Sequence, residues 1–223
     1  MTLYGALFQQ FAENTSQDQF SLQGSKMLKI NMGFGPVWSR SGAMVAYQGD
    51  VRFEKKSQGA ARFLKSAVTG EGLDLMKCSG SGQLFLADLA QAVQIIYLEN
   101  DMISINGASV LAISDSIQWD IKMIKPGAGM AAGGLSNVVC QGTGYVAVTT
   151  AGEPVALNVA EAPTFGDPQA VVLWTAGVQM NVKVDTGGLG SLLRGGSGET
   201  FQLAFGGQGV VVVQPSEGFH FSS

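Results

Sequence analysis

Two short patterns, each written three times and in the same order, constrain this chain more than any other feature. A Gly-x-Gly leads into an apolar run at Gly80-Ser81-Gly82 before Gln83-Leu84-Phe85-Leu86, and again at Gly142-Thr143-Gly144 before Tyr145-Val146-Ala147-Val148. The third copy is Gly207-Gln208-Gly209 before Val210-Val211-Val212-Val213, and the second glycines stand 62 and then 65 residues apart. Interleaved with these, Met44-Val45-Ala46-Tyr47 leads to Val51-Arg52-Phe53, Val110-Leu111-Ala112-Ile113 to Ile117-Gln118-Trp119, and Val171-Val172-Leu173-Trp174 to Val178-Gln179-Met180. Here the spacings, counted from Val51, are 66 and 61 residues. A lone glycine pair before an apolar run is common at turns. Two patterns in a fixed order at nearly fixed spacing imply an internal repeat, with units at approximately 19–90, 91–152 and 153–215.

The local periodicity is that of strands. Met27–Asn31, Met102–Asn106 and Val178–Val184 alternate apolar and polar residues, which sets one face toward a core and the other toward water. Clusters of Gly, Asn, Asp and Ser punctuate such runs, the pattern of a sandwich, barrel or β-helix. Helix is a minor element, with candidates at Leu7–Glu13 and Ala60–Ala67. The expected fold class is therefore all-β: three tandem β-modules of about 60 residues. A unit of that size buries too little apolar surface to stand alone. The three are expected to share an interior in one compact domain, 1–223, with pseudo-threefold symmetry. The repeated glycines are expected at positive φ or at a close approach of two backbones, so that Gly144→Val would damage the fold rather than an activity.

Composition excludes several classes. Charged residues are 13% of the chain, about half the usual share, while apolar residues are 46%, so a disordered polyelectrolyte is ruled out. With 13 basic and 17 acidic residues there is no general electrostatic footprint for a phosphate backbone. Two cysteines, Cys78 and Cys140, make no disulfide scaffold, and the single histidine, His220, supplies no multi-histidine metal site. Both cysteines fall two residues before a Gly-x-Gly, where the third unit has Phe205, which marks the position as apolar and the thiols as buried, reduced and structural. The N-terminus shows no basic region followed by an apolar stretch, and no apolar run approaches the ~20 residues of a membrane span. A cytoplasmic location is the expectation.

Sites of chemistry are scarce. Gly127–Gly133 has one residue too many for a dinucleotide fingerprint, and Gly190–Glu199 has no Gly-Lys-Ser/Thr. Asp50 with Glu54, and Glu71 with Asp74, read as turn and solvated-face residues rather than an acid–base pair. No catalytic residue, metal or cofactor is expected, and the chain is read as a non-enzyme.

The stretch Ser41–Val51, the Gly70-Glu71-Gly72 turn ahead of Gly80-Ser81-Gly82, and the closing Gly206–Pro215 resemble the altered-inheritance-of-mitochondria family named for its twenty-fourth member. The resemblance runs from about residue 20 to residue 218. It implies a fold like that of the tryptophan RNA-binding attenuation protein, a double-stranded β-helix-like sandwich, repeated within one chain. It further implies a cytoplasmic protein of unassigned biochemistry for bacterial members, and a link to inner-membrane organisation for mitochondrial ones. The family defines no catalytic residues, and this chain shows no mitochondrial presequence.

Two surfaces carry the functional expectation. Small-residue apolar loops follow each Val-x-Phe/Trp/Met strand, and their candidate contact residues are Phe63, Leu64, Met130, Leu135, Leu189, Leu192 and Leu193. Two placements are open for them: an inward plug at the centre of the three modules, which is preferred, or an exposed patch for a protein or membrane surface. The second surface is a local basic cluster, Arg52, Lys55, Lys56, Arg62 and Lys65, read first as a solvated charged face. The leading expectation is a scaffold or interaction protein with a protein partner. RNA binding by fold analogy, through the basic cluster, and peripheral membrane association, through the loops, are the alternatives. Nucleic acid is the less expected partner of the three.

Overall fold

The computed structural model describes residues 5–55, 73–123, 136–184 and 201–216. Its architecture is almost wholly antiparallel β. The first third holds β1 (Phe20–Leu22), β2 (Leu28–Asn31), β3 (Val37–Arg40), β4 (Met44–Glu54) and β5 (Leu75–Leu86). Next come β6 (Ala92–Asn106), β7 (Val110–Ser114), β8 (Gln118–Met123) and β9 (Ser136–Thr150). The last third holds β10 (Val155–Asn158), β11 (Thr164–Gly166), β12 (Val171–Thr175), β13 (Val178–Val184), β14 (Phe201–Gly207) and β15 (Val210–Val213). A 12-stranded sheet runs β1-β2-β5-β3-β7-β9-β6-β12-β15-β10, with β4 added on β5 and β8 on β9; a 3-stranded sheet runs β11-β14-β13.

The expected strands at Met27–Asn31, Met102–Asn106 and Val178–Val184 fall in β2, β6 and β13. The N-terminal helix is shorter than the periodicity suggested. It spans Ala6–Gln10, its N-cap Gly5 offers no side-chain cap, and none of its residues is buried. Five residues without tertiary packing cannot extend a helix whose nucleation is already costly. The second helix candidate, Ala60–Ala67, lies outside the described residues, as do Gly127–Gly133, Gly190–Glu199 and His220.

The strand pairings recur at corresponding places. Phe53 lies opposite Cys78, Trp119 opposite Cys140, and Met180 opposite Phe205. Val51 faces Gly80 just as Val178 faces Gly207. Where the Met44, Val110 and Val171 runs pair with their partner strands, the register slips once in each, between Met44 and Ala46, Val110 and Ala112, and Val171 and Leu173. A β-bulge inserts one residue and twists its strand, and here it falls at the same step each time.

All six glycines of the Gly-x-Gly pairs have positive φ, from 92° at Gly207 to 151° at Gly144. At Gly82, with φ 123°, a Cβ would collide with the backbone carbonyl of Gln48 on the paired strand. These glycines sit where the hairpins turn a corner. Tyr47 and Phe53 show how sharp it is, since their ring centroids are 5.4 Å apart. Six residues of straight strand would separate them by about 20 Å.

Three apolar clusters fill the interior. The first joins Leu28, Ile30, Leu84 and Leu86 to Leu111, Ala112 and Ala147, and the second joins Leu75 to Ile105, Val138, Cys140, Val172 and Leu173. The third, Val159, Val171, Trp174, Leu203, Phe205 and Val211, draws on the last third alone. Each fully buried Leu or Ile contributes roughly 1.5–3 kcal/mol relative to exposure. Cys78 and Cys140 are buried and free, inside the first two clusters. Burial pushes the Cys140 thiol up to about 12; it raises that of Cys78 as well, opposed by a hydrogen bond with Ser39.

Candidate interaction surface

Contact between successive thirds of the chain is made by one kind of strand pairing. Strand β3 pairs with β7, setting Val37, Trp38 and Ser39 opposite Ser114, Ile113 and Ala112. In the same register β6 pairs with β12, setting Ile103, Ser104 and Ile105 opposite Thr175, Trp174 and Leu173. Each contact is clasped at its end by a side chain. Arg40 donates from Nε to the Val110 carbonyl at 2.8 Å, and from Nη2 to the Gly107 and Ala108 carbonyls at 2.7 Å each. Asn106 donates from Nδ2 to the Val171 carbonyl at 3.2 Å. Asp115 ties the first of these contacts further, accepting from the Trp38 indole at 2.9 Å and pairing with Lys77 at 2.9 Å.

A strand corresponding to β7 and β12 exists in the first third, the Met44–Gln48 half of β4. A strand corresponding to β3 and the end of β6 exists in the last third, β11, since Thr164 faces Phe205 as Val37 faces Cys78 and Ile103 faces Cys140. Among the described residues these two are not paired with each other: β4 pairs with β5, and β11 with β14.

The consequence is an exposed apolar edge. Val45 is 52% exposed, where Leu111 and Val172 at the same bulge are 0% and 1%. Tyr47 is 48% exposed, where Ile113 and Trp174 are 0% and 7%. Met44 is also exposed, whereas Val110 and Val171 are buried. On β11, Phe165 is 52% exposed, with Lys183 Nζ 5.0 Å from its ring centroid. Neither edge carries a charged residue between Met44 and Gln48 or between Thr164 and Gly166. Free strand edges are ordinarily blunted by charge or proline, as β8 is by Asp120 and Lys122. The β4 edge lacks that guard.

Sequence reasoning treated the three apolar runs as equals and so missed this patch. No signal in the letters of the three runs separates them, because the exposure of the first follows from β11 pairing with β14 and not with β4.

The surfaces expected from sequence are only partly in view. Arg52 pairs with Asp50 at 2.9 Å and Lys55 with Asp74 at 3.3 Å, all four side chains being exposed. Each cation therefore has a carboxylate beside it, and exposed pairs of this kind contribute roughly 0–1 kcal/mol. Lys56, Arg62 and Lys65 lie outside the described residues. So do Phe63, Leu64, Met130, Leu135, Leu189, Leu192 and Leu193. The strands that lead into and out of those loops, β4 and β5, β8 and β9, β13 and β14, are paired antiparallel.

An all-β chain of antiparallel sheets, cornered at glycine pairs and presenting an unguarded strand edge, is the class of protein these features define. The family model described as "Mitochondrial biogenesis AIM24" matches residues 20–216, and the chain belongs to that family. Among solved structures it is similar to a Streptococcus pyogenes protein determined by X-ray crystallography in a structural genomics programme. The TM-score is 0.67 at 21% identity, covering 88% of this chain and 92% of that one, a likeness of fold. No curated protein matches the chain. Among the described residues no helix is long and apolar enough to cross a membrane.

Proposed function

We propose that this chain is a non-enzymatic scaffold or interaction protein, and that the Met44–Gln48 edge of β4 is a surface through which it holds a protein partner. The observation that carries this reading is the exposure of Met44, Val45 and Tyr47 on a strand edge that nothing among the described residues covers. A strand edge offers main-chain donors and acceptors as well as apolar side chains, the combination used in recognition by strand addition.

The accompanying architecture is a tandem of three β-modules related by pseudo-threefold symmetry. Its support is the recurrence of register, bulge and glycine corner at corresponding places. A closed threefold ring would need three contacts of the β3–β7 kind. Two are made within the chain and the third, β4 with β11, is open among the described residues, so the relation between modules is approximate and the ring is not closed by the chain itself.

The test is a photoreactive phenylalanine analogue at Val45, irradiated in living cells. Covalent protein adducts at this position, missing when the probe replaces exposed Leu89 instead, are expected. Recovery of the chain without any protein adduct would overturn the reading.

A further inference from the structure

Resting on that reading, we infer that the partner at this edge is a second copy of the same chain: β11 of one copy adds to the free edge of β4 of the next. The two contacts already made inside the chain define the geometry. Transferring their register to the third pair sets Thr164, Phe165 and Gly166 opposite Gln48, Tyr47 and Ala46. Phe165 then meets Tyr47 at the position where Trp38 meets Ile113 and Ser104 meets Trp174. At least one aromatic ring stands in every one of these pairs. The two rings brought together are about half exposed in the single chain, and the contact covers both.

The third contact differs from the internal two in one respect. The position held by Arg40 and Asn106 is held by Asp167, the residue just past the end of β11, whose carboxylate accepts from the backbone N–H groups of Gln169 at 2.6 Å and Ala170 at 3.3 Å. A carboxylate has no proton to donate to the Met44 carbonyl, so the clasp is missing. The apolar clusters agree, since the first two cross between thirds while the third stays within its own. The contact is therefore weaker than those within the chain and reversible with concentration. Because it joins two different surfaces, each added copy leaves one β4 edge and one β11 edge free. Such a head-to-tail interface grows into a ring if its rotation closes and into a filament if it does not.

The polarity of the contact makes it testable by complementation. Tyr47→Asp and Phe165→Asp change exposed side chains, and circular dichroism with thermal melting verifies that each variant folds. In sedimentation velocity the wild-type chain is expected to move from monomer to dimer and larger species as concentration rises. Each variant alone is expected to remain monomeric, self-association weakening by roughly tenfold or more when a charge replaces a central aromatic. An equimolar mixture of the two variants restores a single intact contact and is expected to yield dimers and nothing larger. Three results would each overturn the inference: a wild-type chain that stays monomeric, a Phe165→Asp variant that still assembles, or a mixture that stays monomeric. The first or third means that β11 of the same chain or another segment occupies the edge; the second means that two β4 edges pair with each other. A monomeric chain that still gives adducts with a different protein at Val45 would remove self-assembly and leave the interaction reading standing.

Discussion

The guanidinium of Arg40 donates to the carbonyl oxygen of Val110, seventy residues further along the chain, at 2.8 Å. Burial lowers the pKa of Arg40, while Asp88, 3.7 Å away, works in the opposite sense. The group remains a cation, bonded to three carbonyls, of which that of Gly107 also accepts from the Val110 backbone N–H. Replacing Arg40 by Met would leave those carbonyls without it, at about 1–3 kcal/mol for each that stays dry. We expect Arg40→Met to lose about 2–4 kcal/mol in urea unfolding. Arg40→Lys should recover only part of that loss, because an ammonium cannot span the three acceptors in a plane.

Glycine corners should respond according to what stands beside them. Gly82→Ala places its Cβ against the backbone of Gln48 and Gly49, at a positive φ, and backbone cannot swing aside. Gly144→Val meets Ser116 Oγ at 2.5 Å and the Ser114 and Ile117 side chains at 3.3 Å. Both are expected to lower stability by about 3 kcal/mol or more. Gly206→Ala has open space around its Cβ and no positive φ, and should melt within a few degrees of the wild type. Equal losses at all three positions in differential scanning calorimetry would contradict this account.

Lys29 is an almost fully buried cation, 3% exposed, held by the Glu13 carboxylate at 2.8 Å and the Asn14 carbonyl at 2.6 Å. It fastens the N-terminal arm to β2. Removing only the carboxylate leaves a buried charge without its counterion, whereas removing both partners does not. Glu13→Ala is therefore expected to cost about 1–3 kcal/mol and to expose the arm to limited proteolysis. The double change Glu13→Ala with Lys29→Met should regain part of the stability while the arm stays open to cleavage.

The thiol of Cys140 makes stability depend on alkaline pH. Its ordinary value is 9.0 and burial raises it to about 12, so above the ordinary value the unfolded chain gives up a proton that the folded chain keeps. Stability contributed by this difference is full below about pH 9 and is lost progressively as pH rises toward about 12. At about pH 10.5 the loss is about 2 kcal/mol. Urea midpoints compared between the wild type and Cys140→Ala should fall more steeply with pH in the wild type. Parallel pH curves for the two proteins would count against it.

Strand identity was legible in sequence wherever period-two alternation met a glycine pair. Val178–Val184 is the clear instance, bounded by Gly177 and emerging as β13. The burial of Cys140 was legible too, because Phe205 occupies its counterpart and leaves a polar environment no room. The N-terminal helix was overextended, because an apolar stretch without a packing surface carries the same letters as one with it. Arg52 and Lys55 were readable as a cluster, but their carboxylate neighbours were not paired with them in advance. Lys55 meets Asp74 only because β4 and β5 run antiparallel beside each other.

From the sequence alone came the kind of backbone: extended strands, and corners where a glycine pair precedes an apolar run. Those properties are local, set by side-chain alternation and by the steric cost of a Cβ at positive φ. Which of the three apolar runs ends in the core and which at a free edge was decided by tertiary structure. Met44–Tyr47 and Val171–Trp174 are both apolar runs, yet one faces solvent and the other is covered by β6. Burial belongs to the neighbour that arrives from elsewhere in the chain: β3 covers the Val110 run and β6 the Val171 run, whereas β11, the corresponding strand, pairs with β14 and leaves the Met44 run open among the described residues.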